Sequence, residues 1–378
     1  MKILFITHET SRSGAPNVLL HLFKWLQKHK PYVNVSVLAL KEGALRQDFI
    51  TSCHQFYSYE ALVKPEKLTF VKRFLKSLGL YNAKNSESVL IKTLALQDFD
   101  VIYANTILSI SFGCRVKDIS KNTRLIAHIH ESNTIIQQLL PKITDYLEVI
   151  DHVIAPSNMV RDNLIDCWKA KPRKITRVYE CAEMKKRELS KHENNNSFIV
   201  GASGYVHWRK GYDVFLQVAR YIKTHFSDKD IKFVWVGTIP LLEQPILEED
   251  VRKLGLQEVI EFIGEVSKPS VFYNTFDVFL LCSREDPFPL VCIEVGQLGK
   301  PIISFENATG SNEIIEKGGG FIVPYLNIEA MAEKIVYYMD NPEQRFEHGQ
   351  INIEEFSKFS PELICPQLYA LLTTKLVK

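Results

Sequence analysis

Short runs of β-branched and aromatic residues alternate with helix-spaced segments along most of this chain, stop in one polar stretch, and then begin again. The first series of strand-like runs covers 2–7, 33–40, 100–104, 124–130, 151–155 and 175–179. Helical spacing fills several of the gaps. In 14–30, Val18, Leu19, Leu22, Phe23 and Leu26 share one apolar face; 107–119 and 157–168 follow, the latter with Ser157 in N-cap position. Buried strands joined by helices pair in parallel, because each crossover helix returns the chain to the same end of the sheet and covers one of its faces. The polar stretch is 183–197, Glu-Met-Lys-Lys-Arg-Glu-Leu-Ser-Lys-His-Glu-Asn-Asn-Asn-Ser, which has little to bury. Strands then resume at 197–202, 231–237, 259–263, 276–281 and 301–305, with helices at 210–226, 246–254, 290–298 and 328–340. The expectation is an α/β protein of two halves, residues 1–182 and 198–360, linked by 183–197. A last helix at 361–378 is free to pack back on the first half. Ligands of such sheets bind outside the carboxyl ends of the strands, so a cleft between the halves is the expected site.

The chain has 378 residues, enough for two cores of ordinary size. A charged fraction of 24% and a hydrophobic fraction of 46% are those of a soluble globular protein, and a net charge of +2 gives no ground for a nucleic-acid partner. The cysteines, at 53, 114, 167, 181, 282, 292 and 365, form no C-x-x-C pair and are odd in number. Cys282 and Cys292 lie in apolar runs, which suits buried free thiols and a reducing compartment. No signal peptide or bilayer-length apolar run is legible, so a cytoplasmic location is expected.

Chemistry concentrates in the loops that follow strands. Residues 283–300 place Asp286 and Glu294 with seven residues between them, around a Pro-Phe-Pro turn. Pro289 suits the first turn of a helix, where its missing N–H costs nothing. The amides of Leu290 and Val291 then form an anion site at a positive helix end, and Glu294, one turn on, can accept from vicinal hydroxyls. Phosphate beside sugar hydroxyls suggests a nucleotide sugar; the plainer alternative is a strand, a turn and a helix with two solvated acids. In 8–16, Ser13 and Gly14 lead into a helix. In 125–131, His128 and His130 share a face, but no third ligand at metal spacing accompanies them, so no metal is predicted. In 201–211, Arg209 and Lys210 bring two positive charges to the mouth of a helix, and Gly310 and Glu313 make a further turn into a helix.

In order, Gly14, His130, Arg209 with Lys210, Asp286 with Glu294, and the Gly310–Glu313 turn resemble the glycosyltransferases of family 4, which have the GT-B fold of two facing Rossmann-like domains with an interdomain cleft. The resemblance runs from the Lys-Ile-Leu-Phe opening to Gly-Gly-Phe-Ile-Val-Pro at 319–324, and the acid pair around Phe-Pro-Leu is its most specific element. It implies that Glu294 holds the nucleotide ribose and that Asp286 lies near the donor sugar hydroxyls. The family usually has glutamate at that position, and Glu285 is an adjacent substitute. It further implies that the backbone of Phe288, Pro289, Leu290 and Val291 meets sugar and diphosphate, that Lys210 and Arg209 bind the diphosphate, that His130 faces the donor sugar, and that Gly14 is the glycine of the amino-terminal loop. The family's second diphosphate cation lies six residues before the lysine, where this chain has Gly204; Arg209 would replace it from another direction. His207 and Trp208 are candidates for a sugar-stacking pair, and Glu313 for a secondary contact.

The implied reaction moves a hexosyl group from a UDP- or GDP-linked sugar, with retention, to a saccharide or lipid-linked acceptor in polysaccharide synthesis. It needs no metal and no cofactor beyond the nucleotide sugar as co-substrate. A basic amphipathic segment at 64–76 reads either as a core helix or as a peripheral membrane contact. Two other activities fit the same cleft: a nucleotide-sugar epimerase or hydrolase, and a binding protein without catalysis.

Overall fold

The computed structural model describes residues 1–63, 86–183 and 197–374, and the chain forms two compact units. The basic segment 64–76 lies outside the described residues, as does nearly all of 183–197.

The first unit is built on a seven-stranded parallel sheet in the order β3-β2-β1-β4-β5-β6-β7. Its strands are β1 (Lys2–Thr7), β2 (Asn34–Ala39), β3 (Gln55–Ser58), β4 (Val101–Asn105), β5 (Arg124–His128), β6 (His152–Ala155) and β7 (Ile175–Arg177). β1 pairs with β2 from Lys2↔Asn34 and with β4 from Ile3↔Val101. Ile3 to Ile6 are fully buried, as a parallel strand covered on both faces requires. Helix Gly14–His29 lays Phe23 edge-on to Phe5 at 4.8 Å and to Phe49 at 5.8 Å between ring centroids.

The second unit carries a six-stranded parallel sheet in the order β10-β9-β8-β11-β12-β13. These strands are β8 (Phe198–Ser203), β9 (Ile231–Val236), β10 (Ile260–Gly264), β11 (Val278–Leu281), β12 (Ile302–Phe305) and β13 (Gly320–Val323). Its core gathers Phe233, Trp235, Leu280, Phe305 and Tyr338 around Phe215 of helix Tyr212–His225. In each sheet the strand order reverses direction beside the first strand, between β1 and β4 and between β8 and β11. Loops on either side of such a switch point diverge and leave room for a ligand at the strand ends.

The units are not continuous in sequence. Pro156–Val160 group with the second unit although Arg161–Val178 belong to the first, and the second unit runs from Tyr179 to Ile364. The reason is Glu313. Its carboxylate accepts from the amides of Asn158 (2.8 Å) and Met159 (3.2 Å), from Asn158 Nδ2 (2.8 Å) and from the Tyr179 hydroxyl (2.9 Å). Ser157 caps the same turn by accepting from Val160 N at 3.3 Å. Glu313→Ala is therefore expected to cost about 2–3 kcal/mol of stability by orphaning these donors. An unchanged denaturant midpoint would contradict it.

Helix Pro361–Thr373 passes in the other direction, and its residues from Cys365 onward group with the first unit. There the Tyr369 and Tyr32 hydroxyls lie 3.0 Å apart, and Arg124 donates to the carbonyls of Leu371 and Leu372, each at 3.2 Å. All seven cysteines are free thiols and five are buried. Burial pushes the Cys292 thiol up to about 12. Among the described residues no helix is long and apolar enough to cross a membrane.

Candidate active site

At the switch point of the second sheet, the loop after β11 is fastened to the loop after β12. Asp286 N donates to Ala308 O at 2.7 Å, and Gly310 N reaches the carbonyls of Asp286 and Pro287, both at 3.2 Å. Gly310 is required by this close approach: a Cβ there would lie 2.2 Å from Pro287 O and 2.3 Å from Ser157 Cβ. The fastening buries Asp286, which is 5% exposed, and aims its carboxylate at the loop after β8. Lys210 Nζ donates to Oδ2 at 2.6 Å, Ser283 Oγ donates to the same oxygen at 2.9 Å, and Arg209 Nη1 meets Oδ1 at 3.3 Å. Arg209 Nη1 also donates to Glu285 O at 2.9 Å.

Burial drives the Asp286 carboxyl upward, but Lys210 and Arg209 outweigh it and leave the group below the ordinary carboxylate range. Burial also lowers the Lys210 ammonium, with Arg209 adding to the effect and Asp286 opposing it. Two cations against one carboxylate leave the cluster net positive, which suits a polyanionic ligand. An ammonium has three donors and Lys210 gives one to Asp286; Arg209 gives only Nη1. The remaining donors can meet phosphate oxygens.

Gly204 stands where the family resemblance expects a further cation, and the geometry explains the glycine. Its φ is +150°, and a Cβ would lie 3.2 Å from Cδ and 3.3 Å from Cγ of Lys210. The lysine stem lies across this residue. Installing the expected charge as Gly204→Arg should therefore destabilise the chain by about 1–3 kcal/mol. A melting curve checks this, and a midpoint at or above that of the wild type would refute it. Arg209 reaches the same carboxylate as Lys210 rather than the space over Gly204.

Helix Leu290–Gln297 starts beside this cluster, with Pro289 as its N-cap rather than inside its first turn. No side chain caps the helix, so its first amides remain suited to an anion. The Phe288 ring is buried between Tyr179 (4.9 Å) and Phe359 (5.4 Å), which leaves its main chain as the part able to meet a ligand. Glu294 is half-buried on the next turn. It stands near Tyr273, whose hydroxyl is driven up by burial and by the Glu294 charge and lies 2.8 Å from Ser203 Oγ at the end of β8.

His207 and Trp208 belong to the short turn that presents the two cations. His207 Nδ1 accepts from Arg209 N at 3.2 Å. The Trp208 ring, 49% exposed, has Arg284 over it at 5.2 Å, and Arg284 is itself clamped to Asp213 at 2.8 and 2.9 Å. Neither side chain is drawn into the Asp286 cluster. Glu313 is likewise occupied by the 156–160 segment and Tyr179.

The first unit has its own cluster at its switch point. Ser13 is the N-cap residue of helix Gly14–His29, but its hydroxyl donates to Glu9 Oε1 at 3.1 Å instead of capping the helix. Ser11 Oγ donates to the same oxygen, and His8 Nε2 lies 3.5 Å from it. His8 and the two hydroxyls, against the opposing effect of burial, hold the Glu9 carboxyl at about 2. His130 lies just beyond β5, its ring 3.9 Å from that of His128. His128 is a core histidine: it is buried, its Nδ1 is 2.6 Å from the Tyr103 hydroxyl, and burial holds it well below the ordinary range. His130 Nε2 is 2.8 Å from Asn105 Oδ1.

Glu9, Asn105, Ser283 and Tyr273 were not singled out in the sequence. A buried amide at the end of the apolar strand Val-Ile-Tyr-Ala-Asn is a readable signal for Asn105. Ser283, three residues before Asp286, is another.

Residues 12–184 match the family model described as Glycosyltransferase Family 4, and residues 184–353 match that described as Glycosyl transferases group 1. The capsular polysaccharide biosynthesis glycosyltransferase CapM of Staphylococcus aureus is 27% identical over 59% of this chain and 61% of its own length. An "uncharacterized glycosyltransferase" of Haemophilus influenzae is 29% identical over 42% of this chain and 43% of its own. The amylovoran biosynthesis glycosyltransferase AmsD of Erwinia amylovora is 30% identical over 32% of this chain and 34% of its own. Each match thus spans less than two thirds of the relative. Among solved structures, Anabaena HepE in complex with UDP and glucose superposes with a TM-score of 0.79 at 19% identity, over 99% of this chain and 100% of that one. Sucrose-phosphate synthase from Thermosynechococcus elongatus gives 0.77 at 18% identity, over 98% of each. At these identities the likeness is one of fold, the two-domain GT-B architecture.

Proposed function

This chain belongs to glycosyltransferase family 4, and on that premise we propose that it transfers a hexosyl group from a UDP- or GDP-linked sugar to a hydroxyl of a saccharide or lipid-linked saccharide during polysaccharide synthesis. The observation that carries the donor side is the cluster at the second switch point, where Lys210 and Arg209 share the buried Asp286 beside an uncapped helix start. A diphosphate there meets two cations and the first amides of helix Leu290–Gln297, while Glu294 accepts from the ribose hydroxyls. HepE, bound to UDP and glucose, and CapM, named for capsular polysaccharide biosynthesis, support the choice of donor class and pathway type.

In this reading transfer proceeds with retention. The bond between the anomeric carbon and the diphosphate oxygen breaks, the acceptor oxygen bonds to the same face of that carbon, and its proton passes to the departing phosphate oxygen. Lys210, Arg209 and the helix start stabilise the charge that grows on the leaving group. The nucleotide sugar is the only co-substrate, and no cofactor takes part. Incubation with UDP- and GDP-sugars, with and without a panel of saccharide acceptors, tests the proposal. Acceptor-dependent release of nucleotide with an α-configured product from an α-donor is expected. Rapid acceptor-independent release of free sugar, or of an epimer, would refute it.

A further inference from the structure

The turn that presents the two cations, Trp208–Lys210, is three residues long and has little to hold it from within. Its own main-chain bonds run from Lys210 N to His207 O at 2.9 Å and from Gly211 N to Trp208 O at 3.1 Å. Two adjacent cations on so short a turn also repel each other. The loop after β11 grips this turn in two ways. Asp286 takes the side-chain ends of Lys210 and Arg209. Arg284, two residues earlier, takes the main chain: its amide donates to Arg209 O at 2.8 Å, and its Nη1 donates to Trp208 O at 2.7 Å. The guanidinium also donates to the Asp213 carboxylate through Nη1 (2.9 Å) and Nη2 (2.8 Å), and lies over the Trp208 ring at 5.2 Å. Asp213 is in the first turn of helix Tyr212–His225, so one planar fork joins the cation turn to the helix that follows it.

We infer that Arg284 is a positioning residue: it fixes the main chain of the Trp208–Lys210 turn so that Lys210 and Arg209 are held in place for a diphosphate. The inference rests on the reading of these two cations as the groups that bind the diphosphate. Asp286 restrains the ends of two long, flexible stems, whereas Arg284 restrains the backbone from which they start. Burial drives the Asp213 carboxyl up, but Arg284 outweighs it and leaves the group below its ordinary range, so the guanidinium is paired with an anion. The third cation therefore adds no net charge to the cluster. Its side chain is 12% exposed and gives Nη1 to both Trp208 O and Asp213, and Nη2 to Asp213. That is the setting of an internal brace rather than of a group that meets ligand.

The test titrates the full chain with UDP, UMP, GDP and GMP as wild type, Arg284→Ala, Arg284→Lys and Asp213→Asn. In Arg284→Ala the preference for diphosphate over monophosphate should fall at least about five-fold, while monophosphate affinity stays within about two-fold. A less stable variant whose preference is intact would show a merely structural role and overturn the inference. Arg284→Lys keeps the charge but not the planar fork, so it should recover less than about half of the lost preference. Full recovery overturns the inference. Asp213→Asn weakens the clamp and frees the guanidinium, and the preference should fall here too; a preference at or above that of the wild type would make Arg284 a direct ligand and overturn the inference. If Arg284→Ala does not fold, wild-type preference in both other variants overturns it instead. Hydrogen exchange of the nucleotide-free chain reads the turn without any ligand: amides within 207–213 should exchange about ten-fold or more faster in Arg284→Ala, with β8 and β9 unchanged. Unchanged exchange in 207–213 overturns the inference. A wild type that binds diphosphate and monophosphate alike would refute the diphosphate reading of the cations, while the exchange rates still decide whether Arg284 holds their turn.

Discussion

Replacing Lys210 with alanine should lower kcat/KM for transfer by about 10²–10³-fold, the usual effect of removing one preorganised group from a developing charge. The same change should appear in stability. Lys210 and Asp286 form a largely buried pair at 2.6 Å, with side chains 16% and 6% exposed. Removing one partner of such a pair typically costs about 3–5 kcal/mol. The lower end is expected, because Arg209 and Ser283 still reach the carboxylate. The loss should depend on pH in a defined direction. In the wild type the Asp286 carboxyl lies below its ordinary range, so it contributes stability above the unfolded-state pKa, and that contribution fades as pH falls through the folded value. Without the ammonium, burial raises the group, and its charged form becomes a cost at neutral pH. The gap in melting temperature between wild type and variant should therefore narrow on acidification. A gap that widens would place the carboxylate's stabilisation elsewhere.

Glu294 should behave differently. If it accepts from ribose hydroxyls, its contacts are equal in ground and transition states, and Glu294→Ala should raise the donor KM while leaving kcat within about three-fold. One or two charge-assisted hydrogen bonds, at about 1.5–3 kcal/mol each, correspond to at least about a ten-fold rise. Glu294→Gln, which keeps an acceptor of similar shape, should lie between. A fall in kcat at unchanged KM would move Glu294 to the reacting centre.

Much of the fold was legible because parallel strands buried on both faces leave continuous apolar runs, as in Lys-Ile-Leu-Phe-Ile and Val-Phe-Leu-Leu. The elements that escaped lack that signature. β3, Gln55–Ser58, is an edge strand with one buried residue, and β13, Gly320–Val323, opens on glycine. Helix Pro342–Phe356 buries only Gly349, Asn352 and Phe356 on one side, too few for an apolar face to be read. The members of the candidate cluster in the second unit could be picked out one by one, because Lys210, Asp286 and Pro289 sit in short motifs after strands and Glu294 lies one turn into the helix that follows. Their connectivity was not, because Lys210 and Asp286 are 76 residues apart in sequence and meet only through the sheet order. Glu313 illustrates the same limit: its partners at 158 and 159 are over 150 residues away, and spacing alone could not show that its carboxylate was spoken for. Asn105 could be noticed at the end of its apolar run, but its partners come from the pairing of β4 with β5 and from a neighbouring helix start, which that run does not reveal.

The proposed donor site requires that the second unit recognise a nucleoside diphosphate through Lys210, Arg209 and the start of helix Leu290–Gln297. Calorimetric titration of the wild type and of Lys210→Ala with UDP, UMP, GDP and GMP measures this. The diphosphate of the preferred base should bind the wild type at least about ten-fold more tightly than its monophosphate, since the second phosphate adds charge-assisted hydrogen bonds. That difference should largely vanish in Lys210→Ala. Equal affinity of the wild type for diphosphate and monophosphate, or a preference that survives loss of Lys210, would contradict the claim.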